Sequence, residues 1–118
     1  MSEHAQADAN GGRERAMRET ARAIFQFALA EASIPKAFER HIHYTRGVLR
    51  VAEDLYDLSA YNRTLVLSIG KAGHTMADAL ATQLGTAASG IVAAPGEIAA
   101  QVPGFRYFRG GHPTPNAE

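Results

Sequence analysis

Two short stretches hold the residue types that can do chemistry: Ser68-Ile69-Gly70-Lys71-Ala72-Gly73-His74 and Gly110-Gly111-His112-Pro113-Thr114-Pro115. In the first, glycines flank a lysine where an apolar run gives way to a helical pattern. Free backbone N–H groups at a helix start attract anions, and Gly70 and Gly73 remove side chains that would block a close approach. Lys71 in the first turn is unfavourable by roughly 0.3–1 kcal/mol, because the helix dipole already makes that end positive. A bound anion reverses the sign of that cost, so phosphate or carboxylate is the ligand class this stretch predicts. The plain alternative is a βα turn with a solvated lysine. It is not a Walker A loop, since Ala72 stands where Ser or Thr would hold magnesium, and it lacks the G-x-G-x-x-G spacing.

In the second stretch two glycines free the backbone and two prolines then stiffen it. His112 precedes Pro113 and is kept out of the helical region, so its side chain has few directions open. A histidine held in this way can hydrogen-bond a carboxylate or exchange a proton near neutral pH. A rigid surface turn is the alternative. Asn116 is a helix-capping type, and Glu118 would set a carboxylate at the positive end of the helix it opens. The other histidines carry less. His74 lies one helical turn from Lys71 and either lines the same site or caps the turn. His41 and His43 sit two apart on a predicted helix and face different ways. His4 lies in a polar tail. No ligand cluster predicts a metal site. Glu53, Asp54 and Asp57 read as a solvated turn. Phe25, Phe27, Phe38, Tyr44, Tyr56 and Tyr61 read as packing residues.

The elements that must position these stretches are legible in the periodicities. Residues 1–12 are small and polar and read as a flexible tail. Over 13–32 a helical stripe recurs at Met17, Ala21, Ile24, Ala28 and Ala32, widened by Phe25 and Leu29. Ser33-Ile34-Pro35 predicts a stop and restart, with Pro35 in the first turn of a second helix reaching about Tyr44. Residues 48–58 predict a β-hairpin turning at Ala52-Glu53-Asp54. Thr64–Ile69 is a continuous β-prone run, as in a strand covered on both faces. Lys71–Leu84 is helical, with Gly85 as its C-cap. Gly90–Ala94 is a second strand ended by Pro95-Gly96, and Phe105–Phe108 a third. Strand, helix, strand over this length makes a right-handed parallel βαβ unit. The predicted fold class is α/β, a Rossmann-like three-layer domain preceded by two helices and a hairpin.

The overall balance narrows the function classes. Hydrophobic residues make up 46% of the 118, which is enough for a packed core rather than disorder. Twelve basic and twelve acidic residues cancel, so no overall field recruits nucleic acid or an anionic membrane. The absence of cysteine excludes disulfides and thiolate sites and fits a reducing cytoplasm. No apolar run spans a bilayer, and the N-terminus has no signal-peptide core. A cytoplasmic location is expected.

The stretch LVLSIGKAGHTMADAL, followed by RGGHPTPNAE, resembles the glycerate 2-kinases whose C-terminal part is the MOFRL domain, some of them labelled hydroxypyruvate reductases. The matching residues are Gly70-Lys71-Ala72, Met76, Gly111-His112-Pro113, Pro115 and Asn116. The likeness extends over about residues 16–118. It implies two α/β domains with a cleft between them, and phosphoryl transfer from ATP to the 2-hydroxyl of D-glycerate with magnesium. It also implies that Lys71 is the catalytic residue, and that Gly70, Ala72, Gly111, His112, Pro113 and Asn116 shape the substrate site. Members of this family run three or four times longer, so a truncated, inactive N-terminal portion (residues 13–118) is expected. An apolar sheet edge left open invites self-association, and a homodimer is among the partners expected. Two rivals stand beside this reading. The first is a phosphosugar isomerase of the SIS type, which shares G-K-[SA]-G after a strand but usually carries Ser or Thr where Ala72 stands. The second is a non-catalytic anion-binding module.

Overall fold

A computed structural model describes residues 3–98 and 100–117, with side chains from Ala9 onward. The chain divides into two units, residues 1–33 and residues 34–118.

The first unit is helix α1, Glu3–Glu31. The tail read over 1–12 is therefore helical from Glu3, and the helix passes through Gly11-Gly12 without a break. Each glycine costs about 1 kcal/mol against alanine, but Ala, Gln and Glu around them are strong helix formers. Met1 and Ser2, and the side chain of His4, lie outside the described residues. On the exposed flank Arg18 pairs with Glu14 one turn earlier at 2.6 Å. The stripe of Met17, Ile24, Phe25 and Leu29 remains open to solvent.

The second unit begins with helix α2, Ile34–His41, which carries Pro35 in its first turn as predicted. It ends three residues earlier than expected. Ile42–Thr45 form strand β1, which pairs antiparallel with β2, Val48–Val51, and β2 pairs in turn with β3, Asp54–Asp57. The predicted hairpin is thus the second half of a three-stranded meander. Ile42, Tyr44 and Thr45 favour a strand once β2 offers a ladder. His41 is therefore the last residue of a helix and His43 a strand residue, so they share no helix. The β1–β2 turn uses Arg46 and Gly47 at φ of 51° and 84°, and the next turn uses Ala52 at φ 51°. After β3 the Asp57 carboxylate accepts from the backbone N–H and the hydroxyl of Ser59, capping a short 3-10 turn over Leu58–Ala60. These bonds hold the Asp57 carboxyl below its ordinary value, the side-chain bond from Ser59 contributing most.

The βαβ reading holds. Strands β4 (Leu65–Ile69), β5 (Ser89–Ala94) and β6 (Phe105–Arg109) form a parallel sheet in the order β4-β5-β6. Helix α3, Gly73–Leu84, crosses from β4 to β5 and ends on Gly85 at positive φ. Ala77 of α3 packs on Val92, Ala94 and Phe105, with Val66 and Tyr107 at the margins. Gly90 is required here, because a Cβ would strike the backbone of Val66 on the neighbouring strand. The expectation that β4 is covered on both faces is corrected. Leu65, Leu67 and Ile69 are 58%, 69% and 75% exposed. Their alternate neighbours Val66 and Ser68 take the α3 side, as the period of two requires, and within this unit helices cover that side alone. No helix is long and apolar enough to cross a membrane among the described residues.

Candidate functional site

The three parallel strands release their chains at one end of the sheet, where open α/β sheets bind ligands. The loop after β4 brings Gly70 and Lys71, the loop after β5 brings Pro95, and the loop after β6 brings Gly110, Gly111 and His112. Together they line a cavity of about 290 Å³. The backbone fixes this convergence. The N–H of Gly70 donates to Ala93 O at 2.9 Å, and the N–H of Gly110 donates to Ala94 O at 3.0 Å, so both loops leave the sheet from fixed points.

Lys71 is not in the first turn of α3. Helix α3 starts at Gly73 with Ala72 at its N-cap, which makes no side-chain capping bond, and Lys71 stands in the turn before it. Lys71 is exposed and is the one Lys or Arg among the described residues lining the cavity. The helix start is fixed instead from inside. The buried Ser68 hydroxyl donates to Gly73 O at 2.7 Å, and Gly73 sits where a Cβ would press on Ala94 at 3.0 Å.

The loop after β6 folds back on itself. A side chain at Gly111 would strike the carbonyl of Thr114, and the His112–Pro113 peptide is cis. Asn116 does not begin a helix within the described residues. Its side-chain amide donates to Arg109 O at 2.6 Å and ties the loop to the end of β6. Glu118 lies outside the described residues.

Of the residues singled out by sequence, Gly70, Lys71, Gly111 and His112 therefore meet around one cavity. Ala72, Pro113 and Asn116 do not line it. Ala72 sits at the helix cap, and Asn116 supports the loop from behind. His74 neither lines the cavity nor caps the helix. Its ring stacks on Tyr107 of β6, with centroids 5.7 Å apart and planes 10° from parallel. Nothing in the sequence pattern marked that pairing beyond an aromatic residue in a strand. Ser68 opens the first stretch, but nothing in its spacing showed that its hydroxyl turns inward to Gly73 O. Among the described residues no group of three or more His, Asp or Glu side chains is placed to hold a metal ion.

The arrangement can hold a small anion. It offers one ammonium group, one imidazole and glycine-rich backbone on a partly enclosed floor, and among the described residues no carboxylate lines it to repel negative charge.

The fold is similar to that in the crystal structure of the PH0495 protein from Pyrococcus horikoshii OT3, with a TM-score of 0.69 at 19% identity. The match covers 85% of this chain and 22% of that one, so this chain spans about a fifth of its length. Among curated proteins, none matches. The family model described as "Domain of unknown function (DUF4147)" matches residues 20–118, most of the chain, and the protein belongs to that family.

Proposed function

We propose that this protein supplies part of the substrate site of a glycerate 2-kinase, which transfers the terminal phosphoryl group of ATP to D-glycerate and gives 2-phosphoglycerate and ADP. The observation that carries the reading is the meeting of Lys71 and His112 in one cavity at the mouth of a parallel sheet. The DUF4147 domain stands at the N-terminus of MOFRL-associated glycerate kinase-like proteins, and the two sequence stretches agree with that family.

In the transfer, the 2-hydroxyl oxygen of glycerate forms a bond to the phosphorus as the bond to the ADP oxygen breaks. The hydroxyl's proton must leave. Phosphoryl transfer is catalysed chiefly by positioning and by charge stabilisation. Lys71 supplies the positive charge, either to the phosphoryl oxygens or to the glycerate carboxylate. His112 is the lining residue able to hydrogen-bond that carboxylate or accept the proton. Magnesium comes with the family resemblance. Among the described residues the cavity offers it no carboxylate.

The test is ADP release dependent on D-glycerate, in the longest polypeptide that carries this domain. Lys71→Ala is expected to lower kcat/KM by about 100-fold or more, and Lys71→Arg to retain part of the activity. Equal activity in wild type and Lys71→Ala would remove the lysine from the mechanism. Phosphosugar isomerisation without kinase activity would support the isomerase class instead.

A further inference from the structure

The hydrogen bonds to β5 fix where each loop leaves the sheet, but beyond those points no direct hydrogen bond joins the loop after β4 to the loop after β6 among the described residues. Beside the packing of Ala77 on Phe105, an aromatic contact bridges α3 and β6 behind those loops. His74 is the second residue of α3 and lies three positions after Lys71. Tyr107 lies on β6, five positions before His112. Their rings stack with near-parallel planes. The stack is braced on both sides: the Tyr107 hydroxyl accepts the backbone N–H of Val102 at 3.0 Å, and the first turn of α3 is pinned to β4 by Ser68. The Nε2 atom of His74 is buried and has no hydrogen-bond partner among the described residues. Leaving such an atom unsatisfied is costly, and a plain apolar ring would avoid that cost. The observed contact on the ring's face is the stack on Tyr107.

We infer that His74 is a positioning residue: its stack on Tyr107 sets the separation of Lys71 from His112 and so tunes the site for a small anion. The inference rests on the anion-site reading of the cavity given above. His74 itself does not line the cavity.

The experiment titrates the intact protein with inorganic phosphate and with D-glycerate, following the backbone amide resonances of Gly70, Lys71, Gly110 and Gly111. Wild type, His74→Ala, His74→Leu and His74→Phe are compared, with thermal melts as a folding check. His74→Ala should weaken binding by about tenfold, the weight of one aromatic contact. His74→Phe, which keeps a flat ring, should bind within about twofold of wild type. His74→Leu keeps bulk without a ring face and should follow His74→Ala; it serves as the test if the alanine variant does not fold. Equal affinity in wild type and His74→Leu, or failure of His74→Phe to recover binding, overturns the positioning role while the anion site stands. No response of wild type to either anion, with the fold intact, overturns the anion-site reading, and the inference falls with it.

Discussion

The meander and the parallel sheet are built on different physics, although each has three strands. The meander is held by neighbours in sequence. Left-handed residues make its turns, and the Asp57–Ser59 cap closes its end. Its strands bury little: β3 is exposed at all four positions. The parallel sheet pairs residues far apart in the chain, and its registry is set by burial under α3, where Val92 is wholly buried. The meander's pairings close short loops, whereas β4 and β5 pair across the whole of α3, so more chain must be ordered before the parallel sheet gains its contacts.

That contrast can be broken most severely at Gly90. Gly90→Val drives a side chain into the Val66 backbone, which cannot move without parting β4 from β5. A loss of more than about 4 kcal/mol is expected, with no cooperative melt by circular dichroism. Val92→Ala should cost about 2 kcal/mol, from lost methyl burial plus the cavity left behind, measured as the urea midpoint. If Val92→Ala were neutral, the sheet would not depend on its core. Gly47→Ala tests the meander by the same measurement. A Cβ there meets Ser59 at an ordinary 3.8 Å, so the expected loss of about 1 kcal/mol comes from the left-handed backbone alone. The smallest effect concerns pH. The Asp57 carboxyl is lowered in the folded state, so its contribution is present above the ordinary value of 3.8 and fades as pH falls through the folded one. Between pH 5 and pH 2, wild type should lose stability slightly more steeply than Ser59→Ala; parallel curves would remove the cap from the account.

The same division explains what the sequence revealed. Apolar runs and glycine punctuation located β4, β5, β6 and the end of α3, because burial and turns leave marks at fixed spacing. The residues around the cavity were legible as two glycine-rich stretches. That they meet is a result of parallel pairing, which no local pattern encodes. Strand β1 was missed because Ile42-His43-Tyr44-Thr45 follows α2 without a breaker, and its conformation depends on β2. The start of α3 was misplaced by two residues because Ala72 carries no capping oxygen to mark it. The stack of His74 on Tyr107 joins residues with no shared period and could be seen only in three dimensions.

The row of leucine and isoleucine along the uncovered side of β4 has a practical result at the bench. Hydrocarbon in contact with water attracts environment-sensitive dyes such as ANS, and the folded chain should brighten one without any denaturant. Excluded salts such as sulfate strengthen the drive to hide such a surface. Precipitation should therefore begin at lower ammonium sulfate than for a protein of equal size and charge, and replacing Leu67 with serine should delay it.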